Sequence, residues 1–331
     1  MYYEDKIDSL AEVFGAGVVR VFEDRVEIDG RTWPVVDDVI VLLDPSRYPA
    51  ALAGRTGSGT NGGAGAAPFA EDVQYSFGEE WKAFSEVMDE HAHEFAEYFD
   101  IVDVSGLAGK RVCDLGCGIG RWSHFLAGQC REMVLVDFSE AVFVARKNLA
   151  GVDNALFFMA DLTDLPFASP FCDFLFCLGV LHHLPVPALD QVRRLKGRAP
   201  EMLVYLYYAM DNRPAYFRAL FKGADVVRRA ASRVRSPVFR DLFTTAAARG
   251  LYMPFILLGK AAALLGLGNR VPLYEYYNDK SMQRIRQDVY DRFFTSIEQR
   301  FTKKEILALR DTFAEVVVSE CQPYWHFLCR S

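Results

Sequence analysis

Hydrophobic and polar positions follow several regimes along the chain. Over 18–43 they alternate as strands do. Val18-Val19-Arg20-Val21-Phe22 is followed by Arg25-Val26-Glu27-Ile28, by Asp29-Gly30 as a hairpin turn, and by a further apolar run from Val39 to Leu43. From Gly54 to Pro68 periodicity gives way to Gly, Ala, Ser and Thr, which predicts a flexible linker. Trp81, Phe84, Val87, Met88, Phe95, Tyr98 and Phe99 then recur at helical spacing among acids, predicting an amphipathic helix over about 79–100.

Beyond residue 110 the two periods alternate. Strands are expected at 110–115, 132–137, 155–160, 171–178 and 201–208, and helices at 120–128, 139–150 and 186–195. Such alternation implies a mostly parallel sheet with helices on both faces. The stretch 211–285 breaks the rhythm, being helical in character, basic in its first half and apolar in its second. Thr302 with Glu305 forms a capping box that opens a helix to Thr312, and Val316–Ser319 and Trp325–Cys329 read as closing strands. The chain thus divides into a small β module (1–52), a linker (53–70), an α/β core (71–210), a helical insertion (211–285) and a closing segment (286–331).

Composition narrows the function classes. The 331 residues carry 37 basic and 44 acidic groups, a net charge of −7, and 51% are hydrophobic, which excludes disorder and gives no charge-based reason to expect nucleic acid. The charge is uneven. Residues 71–103 hold eleven carboxylates and one lysine, whereas 213–240 hold eight basic residues against Asp225 alone. A charge run of that kind is most often a solvated face, but beside the apolar stretch 251–268 it also fits contact with a membrane surface through 213–268. Seven cysteines without a CxxC pair, and a start without a charged-then-apolar leader, predict a reducing, cytoplasmic setting.

The candidate chemistry begins at Arg111-Val-Cys-Asp114-Leu-Gly116-Cys117-Gly118-Ile-Gly120, an apolar strand that ends in an acid and a glycine turn. Glycines let a ligand approach the backbone closely. A dinucleotide site would require GxGxxG, yet Arg121 stands three residues after Gly118, and Asp114 beside the turn repels a pyrophosphate and suits a cation or an amino group. Asp137 ends the next strand, where a carboxylate can accept ribose hydroxyls, and Asp161 ends the third, placed to meet an adenine amino group.

Together with Ala160-Asp161 and the segment Phe171-Cys-Asp-Phe-Leu-Phe-Cys-Leu178-Gly179-Val180-Leu-His182-His183-Leu, these residues resemble the class I S-adenosylmethionine-dependent methyltransferases, of the broad group that includes the ubiquinone and menaquinone enzymes. The resemblance covers about 75–210 and the closing strands. It implies a seven-stranded Rossmann-like sheet, with S-adenosylmethionine as cofactor and S-adenosylhomocysteine as product. Gly116, Cys117, Gly118 and Gly120 would lie against the methionine part of the cofactor. Asp137, followed by Phe138 and Ser139, would lie at the ribose, and Asp161 with Leu162 at the adenine. Leu178, Gly179 and Val180 would floor the pocket, and Phe77 and Trp81 would belong to a lid ahead of the domain. Residues 30–43 resemble a small zinc-ribbon-like module that accompanies some methyltransferases, but no cysteine precedes Cys113, so no metal is expected there.

Methyl transfer requires the acceptor to be held against the methyl carbon with water excluded, and it requires a base only for a protonated acceptor. His183, with His182 beside it, is the candidate base, against the alternative that both only line the pocket. Tyr290, a further catalytic candidate, with Arg292, Glu298 and Arg300 and with Tyr205, Tyr207 and Trp325 near the sheet end, are the candidate acceptor contacts, against the alternative of a salt-bridged surface turn. The fourth strand leads into Leu178-Gly-Val-Leu-His-His183 rather than an Asn/Asp-Pro-Pro-aromatic loop, which disfavours nucleic-acid base methylation. The reading is therefore an enzyme acting on a small-molecule metabolite, a natural-product or cell-envelope intermediate. The alternatives are a lipid or quinone acceptor at a membrane surface and a silent cofactor-binding scaffold.

Overall fold

A computed structural model describes residues 1–56, 74, 77, 78, 80 and 84–331. Most of the predicted linker, and Trp81 of the predicted lid, lie outside the described residues. The chain separates into two compact units, one of residues 1–207 and 303–331, the other of 208–302.

In the first unit the described strands are β1 (Val19–Val21), β2 (Arg25–Ile28), β3 (Arg31–Val36), β4 (Val39–Val41), β5 (Arg111–Leu115), β6 (Glu132–Asp137), β7 (Ala155–Met159), β8 (Phe174–Leu178), β9 (Glu201–Tyr205), β10 (Glu315–Val318) and β11 (Phe327–Arg330). They form one sheet in the order β1-β2-β3-β4-β7-β6-β5-β8-β9-β11-β10. The stretch from β4 through β9 is parallel, as buried hydrophobic runs joined by helical crossovers require, and the two hairpinned flanks are antiparallel. Strand residues of alternating parity cover opposite faces. Phe157, Phe174 and Phe176 share a core with Tyr98, Phe99, Val142 and Ala145 of the flanking segments 90–99 and 141–148. Phe158, facing the other way, meets Phe14 of the helix Ile7–Phe14, ring centroids 5.9 Å apart.

The predicted N-terminal module is not a separate body. Asp29-Gly30 does make the two-residue turn, with φ of 47° and 81°, and joins β2 to β3. A second turn at Asp37-Asp38, with φ of 47° and 61°, returns the chain into β4, which pairs in parallel with β7. Residues 1–43 therefore prolong the main sheet, and the expected seven-stranded core carries four further strands. Residues 50–56 are helical, so the linker reading fails for its first residues. Residues 286–302 also fall in the second unit, not with the closing strands as expected.

That second unit is built from helices Ala215–Ala231, Pro237–Ala247, Met253–Ala263 and Met282–Phe294, the middle two joined without a break by a wider turn at Ala248–Tyr252. Its interior is aromatic, with Tyr252 on Tyr277 at 5.1 Å and Phe243 on Phe293 at 5.2 Å. Arg228, buried, donates to the Thr295 and Ser296 carbonyls at 2.8 and 2.9 Å, so the basic run is partly structural.

The N-terminal extension is tied down by Tyr3, whose buried hydroxyl donates to the Asp38 carbonyl at 2.7 Å and accepts from the Phe157 amide at 3.2 Å. Tyr3→Phe leaves both backbone groups without that partner and is expected to cost about 1–3 kcal/mol in urea denaturation. Wild-type stability would show that the pinning lies elsewhere.

Candidate functional site

Register assembles the site. Asp114 pairs with Leu135 and Asp137 with Met159, so β5, β6 and β7 end on one edge of the sheet and bring their acids there. The glycine turn is anchored on the neighbouring strand, since the amides of Gly116 and Cys117 both donate to the Val136 carbonyl, at 2.7 and 3.0 Å. Gly116 has φ +84°, and a Cβ there would stand 2.5 Å from Val180 Cγ2, so only glycine fits beneath the loop that follows β8.

Asp114 is 1% exposed and accepts from Ser123 Oγ at 2.6 Å. Burial pushes its pKa up to about 7; the Asp137 charge adds to this, while the Ser123 hydrogen bond and Arg121 oppose it. Asp137 accepts from the Gly118 amide at 2.8 Å through Oδ2, and from the Ser139 amide and hydroxyl at 2.8 and 2.7 Å through Oδ1. Burial nevertheless holds it above the usual carboxylate range. Ser139 in turn accepts from the Ala141 amide at 3.3 Å, which fixes the start of the next helix.

Asp161 differs. Burial would raise it, but hydrogen bonds from the Thr163 hydroxyl and amide, at 2.7 and 2.9 Å, and from Arg47 at 2.6 Å outweigh burial and hold it below the usual range. Arg47 also lies 5.3 Å from the Phe138 ring centroid. It comes from the short turn Pro45–Arg47 that follows β4. No motif marks this residue. Its arrival depends on β4 pairing with β7, a contact between segments more than a hundred residues apart. Gln74, whose amide donates to the Phe138 carbonyl at 3.0 Å, was likewise outside the sequence reading.

On the far side of the turn, Leu178 and Val180 flank Gly179, whose amide donates to the Tyr205 carbonyl at 3.1 Å. His182 and His183 are both buried in the short turn Leu181–His183. His182 stacks on Tyr207 at 3.9 Å, His183 lies 5.3 Å from Phe77, and Tyr205 lies 6.0 Å from Tyr207. Phe77, both histidines and both tyrosines thus form one cluster at the C-terminal ends of β8 and β9. Trp325, buried, stands two residues before Phe327, which pairs with Val204, and Lys303 lies 5.2 Å from its ring centroid.

The remaining acceptor candidates belong to the helical unit and have partners within it. Tyr290 is buried beside Phe294 and accepts from Arg240 at 2.8 Å. Arg300 pairs with Glu298 at 2.7 Å, donates to the Tyr208 carbonyl at 2.9 Å and covers the Phe221 ring, to which Arg292 also turns. These contacts correspond to the salt-bridged alternative. Among the described residues no group of three or more His, Cys, Asp or Glu is placed to hold a metal.

Residues 112–196, the segment that carries the glycine turn, all three acids and the histidine pair, match the methyltransferase domain family. A demethylmenaquinone methyltransferase of Clavibacter sepedonicus is 46% identical to it over 65 residues, which is 19% of this chain and 26% of that protein. A 23S rRNA (uracil(1939)-C(5))-methyltransferase of Shewanella amazonensis is 36% identical over 107 residues, 30% of this chain and 23% of that protein. The chain spans about a quarter of the length of these curated relatives. Among solved structures, magnesium protoporphyrin IX methyltransferase of Synechocystis PCC 6803 with bound SAH aligns over 79% of this chain and 99% of its own, at 15% identity and a TM-score of 0.44.

The raised acid beside the glycine turn has a measurable consequence. Folded Asp114 holds its proton up to about pH 7, against a reference of 3.8 unfolded, so its contribution to stability is complete below the lower value and is lost as pH rises through the upper. The loss accrues at about 1.4 kcal/mol per pH unit. Asp114→Asn, which keeps an acceptor for Ser123, is expected to flatten the decline of ligand-free stability across this window in denaturant titrations. A decline as steep as wild type would assign the slope to other groups.

Proposed function

We propose that the chain is an S-adenosylmethionine-dependent methyltransferase acting on a small-molecule acceptor. The observation that supports this most is a buried carboxylic acid, Asp114, and a half-buried one, Asp137, flanking a glycine turn that has no room for a side chain at Gly116. Such a cradle suits a ligand with cationic groups and hydroxyls and disfavours a pyrophosphate.

When bound, S-adenosylmethionine supplies a methyl group on a sulfonium. The chain's own residues do the rest. Asp114 would hold the cofactor's amino group, and Asp137 its ribose. A carboxylate offers about four acceptor positions; Gly118 and Ser139 take three of those at Asp137, which leaves room for one hydroxyl. Phe138 and Leu162 would bound the adenine side, beside Arg47, which donates to Asp161. The cluster Phe77, His182, His183, Tyr205 and Tyr207 excludes water from the acceptor side, and His183 takes the proton of an acceptor that carries one. The demethylmenaquinone methyltransferase similarity and the aromatic walls favour a planar, apolar acceptor.

Calorimetric titration with S-adenosylmethionine and S-adenosylhomocysteine tests the reading. Micromolar binding of both is expected, reduced at least about tenfold in Asp137→Ala, since a charge-assisted hydrogen bond contributes about 1.5–3 kcal/mol. His183→Ala is expected to keep that affinity while slowing labelled-methyl transfer. No binding by the folded wild type would overturn the proposal.

A further inference from the structure

The helical unit exposes an amount of hydrocarbon that the sheet unit does not. Among the described residues, exposed large hydrophobic side chains outside 208–302 are Met1, Ile7 and Val18. Within the unit they include Leu242, Leu257 and Leu258, with Leu264 and Leu265 exposed by 87% and 78%. The continuous helix Pro237–Ala263 is long and apolar enough to cross a membrane, yet only 28% of its most apolar window is buried.

Its burial follows one stripe, Arg240, Thr244, Ala248, Tyr252, Ile256 and Gly259, at helical spacing. That stripe packs within its own unit, where a Cβ on Gly259 would stand 2.2 Å from Tyr274. A helix fixed along one side in this way cannot be surrounded by lipid, so it lies on a membrane rather than through it. Lys260 sits between Leu257 and Leu264 on the helix surface, where its ammonium reaches outward while its stem adds apolar area.

Charge selects the surface. The unit holds sixteen Lys and Arg against eight Asp and Glu, +8, in a chain whose net charge is −7. Arg218 and Lys222 are exposed on the helix that also exposes Tyr216, Leu220, Val226 and Val227, Arg249 and Lys260 on the helix that exposes the leucines, and Arg233 on the segment between them. Basic groups interleaved with aliphatic ones suit anionic headgroups over acyl chains; an RNA contact would leave the leucines in water.

We propose that residues 215–267 form a docking surface for an anionic lipid bilayer, with the helix 237–263 lying in the interface plane. The full-length protein is expected to co-sediment with vesicles of phosphatidylcholine and phosphatidylglycerol, more weakly at high salt, and far less with phosphatidylcholine alone. The double variant L264Q/L265Q, altered at exposed positions, is expected to lower the partition coefficient at least about tenfold at unchanged thermal stability. No sedimentation with the anionic vesicles, or equal partition by the variant, would overturn the proposal. So would leucine-dependent self-association that persists without lipid, which would assign the face to a second copy. None of these readouts depends on S-adenosylmethionine binding.

Discussion

Asp114 and Asp137 stand in a part of the molecule where an unpaired charge is expensive, and much of the surrounding architecture answers to that. The parallel register of β5, β6 and β7 brings the acids together at one edge. Once there, they repel each other, and Asp114 lacks water to screen it. Ser123, the Gly118 amide and both donors of Ser139 reduce the penalty without removing it, as the raised pKa values show. A site in that condition is not neutral toward ligands. It resists anions and gains from any group that brings positive charge into the cavity. The glycine turn gives the same answer sterically, because the space a side chain at Gly116 would need is taken by Val180.

The third acid escapes this condition through Thr163 and, in part, through the N-terminal extension. Without β4, strand β7 would be an exposed edge with unpaired backbone groups. Covering that edge continues the sheet, and the next turn carries Arg47 onto Asp161. A solution to a sheet-edge problem thereby becomes part of the wall of the candidate site. Arg47 there adds to the Thr163 hydrogen bonds, and together they hold Asp161, alone of the three, below the usual carboxylate range.

What the sequence made legible was whatever depends on local period and spacing. β6 runs from Glu132 to Asp137 as read, β2 and its Asp29-Gly30 turn were evident, and the acids and glycines of the candidate site stand at strand ends as their spacing implied. The unread features are long-range. Nothing near β4 announces β7 as its partner, and Pro34 inside β3 obscured that strand. Tyr290 and Arg300 carry polar groups that look available in a string of letters; in three dimensions Arg240 and Glu298 already engage them. Polar side chains on a short amphipathic segment give no local sign of whether a partner fifty residues away will reach them.

The two units also serve as each other's control on the meaning of exposed hydrocarbon. Loose packing throughout would leave apolar side chains showing everywhere, whereas the sheet unit buries nearly all of its large ones among the described residues. The chain can therefore satisfy its hydrophobic groups where a core is available. In the helical unit the buried groups are held by specific contacts, Arg228 to the Thr295 and Ser296 carbonyls and, on the stripe, Arg240 to the Val234 carbonyl and the Tyr290 hydroxyl. The leucines outside that stripe are thus not a failed core. Their exposure by design of the same helices, in the part of the chain where positive charge is concentrated, fits a surface whose second solvent is not water.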